Sequence, residues 1–232
     1  MDSDPQSPLA TVRPRVTAAL AAWASTVAIG SATGALARLA PTMLAPAIVA
    51  CIVIPTSVYG RSPLLRAAAR EVGVHRISLL HAWRIAVGAM FLVYGAQDKL
   101  PQSFVRRAGW GDILVGAFAA ALIKLPRTRT TYATFHAVGF ADFVLAVGTG
   151  LAATLRREPR MGAIATFPLA LIPLFGVGVS GAAHLIAFDL LRNNGTTASH
   201  LVAKAAYHDV TCARCGRRAQ TPLNYPKIDR RR

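Results

Sequence analysis

Long apolar stretches separated by short basic segments dominate the pattern of this sequence. Six stretches of 17 to 28 residues together contain only five of the 36 charged residues. A transmembrane helix needs about 20 apolar residues, so these stretches have the right length to cross a bilayer. The pattern therefore predicts an all-α protein, a polytopic bundle of six transmembrane helices joined by short loops. The six stretches are residues 16–37, 40–59, 78–97, 109–125, 131–154 and 163–190.

The composition agrees with a membrane protein and excludes an ordinary soluble domain. Of the 232 residues, 53% are hydrophobic and only 16% are charged, whereas globular chains have about 25% charged residues. Such a chain lacks the polar surface that a soluble core of this size requires. We divide it into a polar N-terminal tail at 1–15, the six-helix domain at 16–192 and a basic C-terminal tail at 193–232.

The distribution of basic residues predicts the orientation of the helices. A net charge of +16 is typical of nucleic-acid binding, but here the charges flank apolar segments along the whole chain. With both termini in the cytoplasm, 18 Lys and Arg residues lie inside and seven outside. Counting only charges near helix ends reduces this contrast to 11 against 7, in the same direction. We therefore predict cytoplasmic termini, no nucleic-acid partner, and contact with anionic lipid headgroups at the cytoplasmic face.

The first apolar stretch has two interpretations. Arg13 and Arg15 precede it, and Ala35-Leu36-Ala37 at its end has the small-x-small pattern of a signal-peptidase site. Its 22 residues exceed the roughly 7 to 15 of a signal peptide's apolar region. We interpret it as a retained helix, with a cleaved signal as the alternative.

Five ionisable side chains inside the predicted helices form the candidate site. Such a group in the hydrocarbon region costs about 2.5 to 3.5 kcal/mol, so it is a functional candidate by default. With a rise of about 1.5 Å per residue, four of the five share one layer in the cytoplasmic half, and the fifth lies near the midplane. The layer contains His81, Arg84, His136 and His184, and the midplane residue is Asp142.

Asp142 requires a proton or a positively charged neighbour, because an unpaired carboxylate in low dielectric is too costly. Arg84 is the best candidate, since it is always charged and long enough to reach about one and a half helical turns. One interpretation is a structural ion pair that sets which helices face each other. The other is a proton or ion relay in which Asp142 titrates against Arg84 and His136.

The three histidines leave two cofactor hypotheses open. Two imidazoles on facing helices are typical axial ligands of haem b in a helical bundle. Three imidazoles with a bound water, and Asp142 as general base, would make a zinc hydrolase. The sequence has no paired His-x-x-x-His motif to favour the metal. A site without a cofactor is our leading expectation.

Asp112 differs from these residues by its local context. It lies in Gly109-Trp110-Gly111-Asp112, at the predicted start of the fourth helix. A carboxylate in the first turn of a helix accepts hydrogen bonds from free amides and complements the helix dipole. We therefore interpret Asp112 as a helix cap.

The C-terminal tail contains a second possible metal site. Cys212 and Cys215 form one Cys-x-x-Cys pair, and His208 and His200 precede it. These four side chains have the chemistry of a tetrahedral zinc site. A complete site usually shows two such pairs, so a reduced thiol pair is the main alternative.

Three parts of the sequence resemble an uncharacterised family of multi-pass bacterial inner-membrane proteins. The resemblance covers roughly residues 78–190 and rests on residues 84–91, 100–105 and 108–116 (AGWGDILVG), on 138–146 (VGFADFVLA), and on 167–184. It implies the bacterial inner membrane as the location, and it implies no activity. It supports Arg84, Asp112, Asp142 and His184 as positions to test. His136 departs from the family pattern, in which an aromatic residue is more usually followed by Asn.

These observations lead to one functional expectation with two alternatives. We expect a non-enzymatic membrane protein that handles a small solute, a proton or a lipid through the buried Arg, Asp and His side chains. The alternatives are a haem b- or metal-binding redox protein and a purely structural subunit. The sequence contains no phosphate loop and no nucleophile elbow that would indicate an enzyme class.

Overall fold

The computed structural model describes residues 7–39, 41–205, 207–211 and 218–222. The chain divides into two compact units, Met1–Leu190 and Leu191–Arg232. Seven helices of more than eight residues account for most of the described chain. They are α1 Pro8–Ala32, α2 Pro41–Arg61, α3 Pro63–Leu80, α4 Arg84–Ala96, α5 Trp110–Ala121, α6 Arg129–Leu155 and α7 Val177–Ala205.

Short helical turns connect or extend these helices. Three are 3-10 turns, Leu36–Arg38, His81–Trp83 and Pro159–Ala165. Gln102–Phe104 and the π-helical turn Val105–Gly109 lead directly into α5, and the π-helical turn Ile172–Gly176 leads into α7. Two of the longer helices therefore begin earlier, in a wider helical turn, than their α-helical bounds indicate.

The N-terminal helix begins earlier than the sequence pattern predicted. The Ser7 side chain accepts a hydrogen bond from the Ala10 amide, and Pro8 occupies the first helical position. A proline is favourable there because its missing N–H would have no helical partner. Half of the predicted polar tail at 1–15 is therefore helical, and the Ser7 hydroxyl also bonds to Glu71 of α3.

The second unit contains the only strands among the described residues. β1 Tyr207–Thr211 and β2 Arg218–Pro222 pair antiparallel, with Tyr207 opposite Pro222. Of the predicted tail zinc ligands, Cys212 and Cys215 lie outside the described residues. The side chains of His200 and His208 also lie outside them.

Three helical segments are long and apolar enough to cross a membrane. They are Pro63–Ala96, Arg129–Leu155 and Ile172–Asn193, and they contain the third, fifth and most of the sixth predicted stretches. The helical fold class is confirmed. The other three stretches form α1, α2 and α5, which are not among these three segments in the described part of the chain. Of these, α5 has only 12 residues, and the apolar part of α2 is Pro46–Arg61.

The first of these segments is not a uniform helix. α3 contains Gly73 with φ of 78°, a left-handed conformation that glycine adopts without strain. The 3-10 turn His81–Trp83 then separates α3 from α4. Both His81 and Arg84 lie at this second irregularity, where they face the interior and are buried.

Candidate functional site

Arg84 lies between two carboxylates that come from two other helices. Its Nε donates to Oδ1 of Asp112 on α5 at 2.6 Å, and its Nη2 donates to Oδ2 of Asp142 on α6 at 2.5 Å. A third contact, from Nη1 to the carbonyl oxygen of Gly139, is 3.4 Å long. The exposed fractions of the three charged side chains are 4%, 11% and 15%. We call Arg84, Asp112 and Asp142 the Arg84 cluster.

Glycines on α4 and α5 bring Asp112 to Arg84. A Cβ on Gly88 would overlap the carbonyl oxygen of Gly109, and one on Gly116 would lie 2.7 Å from the backbone nitrogen of Ile85. Small residues at such positions allow two helix backbones to approach closely. α4 and α5 therefore pack with almost no side chain between them at these points.

The capping role predicted for Asp112 is corrected by this arrangement. Asp112 does lie in the first turn of α5. The π-helical turn Val105–Gly109 precedes that turn, so the start of α5 is a continuation of helix. The Asp112 carboxylate is buried and bonds to the guanidinium of Arg84.

Asp142 occupies the position that the sequence predicted, opposite Arg84. Gly111 on α5 makes room for it, because a Cβ on Gly111 would overlap the Asp142 carboxylate. One turn earlier on α6, Gly139 makes similar room for His184, whose Cε1 would lie 2.6 Å from an added Cβ. The Arg84 cluster and the histidines therefore lie on neighbouring parts of one face of α6.

The three predicted histidines form a second cluster beside the first. Nδ1 of His136 is 2.9 Å from Nδ1 of His184, and Nε2 of His136 is 2.9 Å from the Ser78 hydroxyl. The ring of His81 stacks on that of His184 with 4.1 Å between ring centroids. All three rings are completely buried. We call His81, His136 and His184 the histidine cluster.

The histidine cluster has unused hydrogen-bonding capacity. Among the described residues, four buried polar atoms lack a hydrogen-bond partner: Nδ1 and Nε2 of His81, Nε2 of His184 and Oγ of Ser180. One ligand atom from each histidine lies within 4.8 Å of the other two, so the group can hold a metal ion. Haem b does not fit between these rings, because imidazoles in direct contact leave no space for a porphyrin between them.

A cavity of about 150 Å³ is lined by Arg84 and Asp112 of the Arg84 cluster. Its polar lining groups include Arg84, Asp112 and Ser180. The remaining wall is mostly apolar, and it is formed by aliphatic residues together with four aromatic ones. These aromatic residues are Trp83, Phe91, Phe104 and Phe143.

The geometry brings the five predicted intramembrane site residues into these two adjacent clusters and adds three further side chains to them. Asp112 was assigned another role, while Ser78 and Ser180 were not considered. The signal for Asp112 was present in the sequence as Gly88 and Gly116, which indicate close packing of their helices. Nothing comparable marks the two serines, since serines occur throughout the apolar stretches.

The charges of the Arg84 cluster do not balance. One guanidinium faces two carboxylates, which leaves one net negative charge if both are ionised. An uncompensated charge is expensive away from water, so this arrangement favours uptake of a proton or a cation.

Comparison with known proteins gives a family but no activity. No curated protein matches the chain, and no solved structure does. Residues 40–192 match a family described as "Domain of unknown function (DUF8737)". The expected resemblance to an uncharacterised family is confirmed to that extent, and the match also includes α2, which begins well before residue 78. Because it covers about two thirds of the chain and both clusters, this protein belongs to the DUF8737 family.

Proposed function

We propose that this protein is a non-enzymatic integral membrane protein that binds a small, mostly apolar solute and exchanges a proton at the Arg84 cluster. One observation carries the proposal: a single buried guanidinium is held between two carboxylates at the wall of an apolar cavity. The excess of carboxylates over guanidinium is the reason to propose a bound proton, and the apolar cavity is the reason to propose a bound solute.

The proton follows from the cost of the unbalanced charge. When Asp112 and Asp142 are both ionised, the cluster has one negative charge more than Arg84 compensates. In a buried environment, neutralising one carboxylate by protonation removes that cost. Asp142 bonds to Arg84 on α4, which also bonds to Asp112 on α5, and His184 on α7 contacts α6 one turn before Asp142, at Gly139. Arg84 is the single permanent cation among these four.

The solute follows from the size and lining of the cavity. An apolar protein cavity of about 150 Å³ accommodates a molecule the size of benzene. Aromatic and aliphatic walls favour an apolar body, while Arg84 and Asp112 offer a donor and an acceptor at one place. A small molecule with one polar group fits this combination. The polar group of this molecule would either displace the proton from the Arg84 cluster or form a hydrogen bond that includes it.

We further propose that all six apolar stretches cross the bacterial inner membrane, with both termini in the cytoplasm. Three candidate spans and the excess of basic residues on the proposed inner side support this orientation. The same basic residues would contact anionic lipid headgroups. Reporter fusions after Arg61 and Arg192 should be cytoplasmic, and a fusion after Arg157 should be exported. An exported reporter after Arg192 would contradict this orientation.

Infrared spectroscopy of the purified protein tests the proton directly. At neutral pH, the wild type should show the C=O stretch of a protonated, buried carboxylic acid. Asp112→Asn and Asp142→Asn should each remove this band, because one carboxylate is then enough to balance Arg84. Asp98→Asn is the matched control: Asp98 also pairs with an arginine, but it is exposed, and the band should remain.

The infrared experiment also separates the functional from the structural interpretation. A wild-type protein without the band, in which both carboxylates are ionised at neutral pH, would overturn the proton exchange.

In proteoliposomes with a pH-sensitive dye inside, the wild type should admit protons faster than empty liposomes, and Asp142→Asn should not. Equal rates of proton entry for the wild type and Asp142→Asn would mean that the Arg84 cluster is an ion pair that only holds the helices together.

The solute is tested by filling the cavity. Ala146 lines the cavity and Val144, on the same helix, is exposed. Mass spectrometry of extracts from wild-type protein should detect a co-purifying small molecule that Ala146→Phe loses and Val144→Phe retains. Identical extracts from both variants would show that the cavity is not its binding site.

A further inference from the structure

We propose that the histidine cluster binds one divalent transition-metal ion, with Zn²⁺ as the reference ion. His81, His136 and His184 come from three different parts of the fold, and one nitrogen of each lies within 4.8 Å of the others. This inference is independent of the proposed solute and proton exchange. It rests on the geometry and on the unused nitrogens of these three rings.

The unused nitrogens are the strongest reason to expect a ligand. His81 is completely buried, and neither of its ring nitrogens has a hydrogen-bond partner among the described residues. Nε2 of His184 is also buried without a hydrogen-bond partner among the described residues. A buried polar atom without a partner costs about 1 to 3 kcal/mol, so most are satisfied in folded proteins. A metal ion would satisfy one nitrogen on each of these two rings.

The geometry needs only side-chain adjustment to bind such an ion. Zn–N bonds of about 2.0 to 2.1 Å place tetrahedral ligand nitrogens about 3.4 Å apart. In the structure the three ligand nitrogens lie within 4.8 Å of one another, which is somewhat longer than this spacing. On binding an ion, the His184 ring would exchange its 2.9 Å contact with His136 for a bond to the metal. Imidazole nitrogen suits Zn²⁺, Cu²⁺, Ni²⁺ and Fe²⁺ better than Mg²⁺ or Ca²⁺.

Neighbouring groups provide the surroundings that a metal site requires. The Ser78 hydroxyl lies 2.9 Å from Nε2 of His136 and would orient that ring through its second nitrogen. Three neutral imidazoles leave the full charge of the ion uncompensated, and the Arg84 cluster next to them would supply one negative charge whenever both of its carboxylates are ionised. Three histidines also leave a fourth position for water. Ser180, one turn before His184 on the same helix face, has an unpartnered hydroxyl on the cavity side.

The test uses the full chain with the tail thiols removed. In a Cys212→Ser/Cys215→Ser background, metal bound after incubation with Zn²⁺ and desalting is measured by mass spectrometry. X-ray absorption spectroscopy of the bound zinc then counts its imidazole ligands without any change to the cluster. We expect about one zinc per chain, with three imidazole ligands and one oxygen.

Two ligand variants and one matched control locate the site. His81→Phe and His184→Phe keep an aromatic ring in the stack but remove the ligand nitrogens. Each should weaken zinc binding by more than the roughly 10- to 100-fold that results when a metal ligand loses its own hydrogen-bond partner. His75→Phe should bind zinc as the background does, because His75 bonds to Tyr132 and lies outside the cluster.

The outcomes either support or overturn the site. No zinc in the folded background protein, or zinc with fewer than three imidazole ligands, overturns it. Equal binding by the background protein and both ligand variants also overturns it. If a ligand variant fails to fold, the number of imidazole ligands that X-ray absorption finds in the background protein still decides whether the site exists. Loss of zinc binding in His184→Phe with retention in His75→Phe supports it.

Discussion

In the described part of the chain, Arg84 and Arg160 each bond to two carboxylates, and the two groups differ mainly in burial. In the Arg84 cluster, the arginine bonds to Asp112 at 2.6 Å and to Asp142 at 2.5 Å, and all three side chains are at most 15% exposed. In a second group, Arg160 bonds to Asp98 at 2.5 Å and to Glu158 at 3.1 Å. There the arginine is 42% exposed and Asp98 is 78% exposed. We call the second group the Arg160 cluster.

The comparison shows that the surroundings of a contact decide its consequences. Hydrogen bonds to Glu158 and Asp98 raise the pKa of the Arg160 guanidinium, which is protonated at neutral pH in any case. Water and salt compensate the excess charge of this cluster at little cost. Around the Arg84 cluster, the same excess charge has no such compensation and must be met by a proton or an ion. The same set of groups is therefore a surface feature in one place and a candidate functional site in the other.

Removal of each arginine should give the largest difference between the two clusters. Arg84→Ala leaves two buried carboxylates without a cation, and breaking a buried pair in this way costs about 3 to 5 kcal/mol. Arg160→Ala should leave the unfolding transition of the detergent-solubilised protein unchanged. Thermal or denaturant unfolding of both variants makes the measurement. Equal destabilisation by the two substitutions would show that burial does not distinguish the clusters.

Arg84→Lys sharpens this first prediction. A lysine keeps the charge but cannot bond to two carboxylates in fixed directions as the planar guanidinium does. We expect it to recover only part of the stability lost in Arg84→Ala. Full recovery would mean that charge alone is required, without the bidentate geometry.

The sequence predicted the Arg84–Asp142 contact from depth and charge, and the 3-10 turn His81–Trp83 before Arg84 leaves that contact in place. The depth of a residue in a long helix follows from its position, and a midplane carboxylate needs a cation within reach. Arg84 was the one arginine or lysine inside the apolar stretches at a suitable depth, since Lys124 lies next to a helix end. Identity and depth were therefore enough to predict this pair.

Asp112 could not be assigned in the same way. Its local sequence fits a helix start, and the assignment depends on whether more helix precedes it. The turn Val105–Gly109 provides that helix, and close packing at Gly88 and Gly116 turns α5 toward Arg84. These are tertiary effects, and a single sequence gives no direct measure of them. Of the six predicted spans, three correspond to segments that are long and apolar enough to cross a membrane among the described residues.

The two carboxylates of the Arg84 cluster should show the second largest effect, and it should be non-additive. Either Asp112→Asn or Asp142→Asn alone leaves one carboxylate for one guanidinium, so each should change stability only modestly. The double variant leaves Arg84 unpaired and should be destabilised beyond the sum of the single variants. We expect a coupling of about 0.5 to 3 kcal/mol, as for other groups in direct contact.

A double-mutant cycle of unfolding free energies provides the measurement. The corresponding pair Asp98→Asn and Glu158→Gln in the Arg160 cluster should be additive, because solvent screens the remaining arginine. Additive effects at Asp112 and Asp142 would mean that the cluster is not electrostatically isolated from water, and the argument for a bound proton would fail.

Glycine substitutions on α6 should give a smaller effect. A Cβ on Gly139 would lie 2.6 Å from Cε1 of His184, within the buried region that joins both clusters. Gly139→Ala should therefore destabilise by about 1 to 3 kcal/mol through overpacking. Gly148, on the same helix, has nothing within 4 Å of an added Cβ.

Gly148→Ala should be neutral or stabilising by about 0.5 to 1 kcal/mol, since alanine is the better helix former. Unfolding of the two variants under identical conditions isolates the contact, because the substitution and the helix are the same. If Gly139→Ala were as stable as Gly148→Ala, the close approach of α6 to His184 would be wrong.

The salt dependence of the unfolding free energy should be the smallest effect, and it should again differ between the Arg84 cluster and the Arg160 cluster. At about 1 M salt the Debye length falls to about 3 Å, so any residual contribution of the exposed Arg160 cluster should disappear. The buried Arg84 cluster is shielded by protein, and the destabilisation caused by Arg84→Ala should be the same at low and high salt. Unfolding of wild type, Arg84→Ala and Arg160→Ala at both salt concentrations gives this difference. A strong salt dependence at Arg84 would indicate that water reaches it through the cavity. The excess carboxylate would then need no proton, because mobile cations would balance it as they do at Arg160.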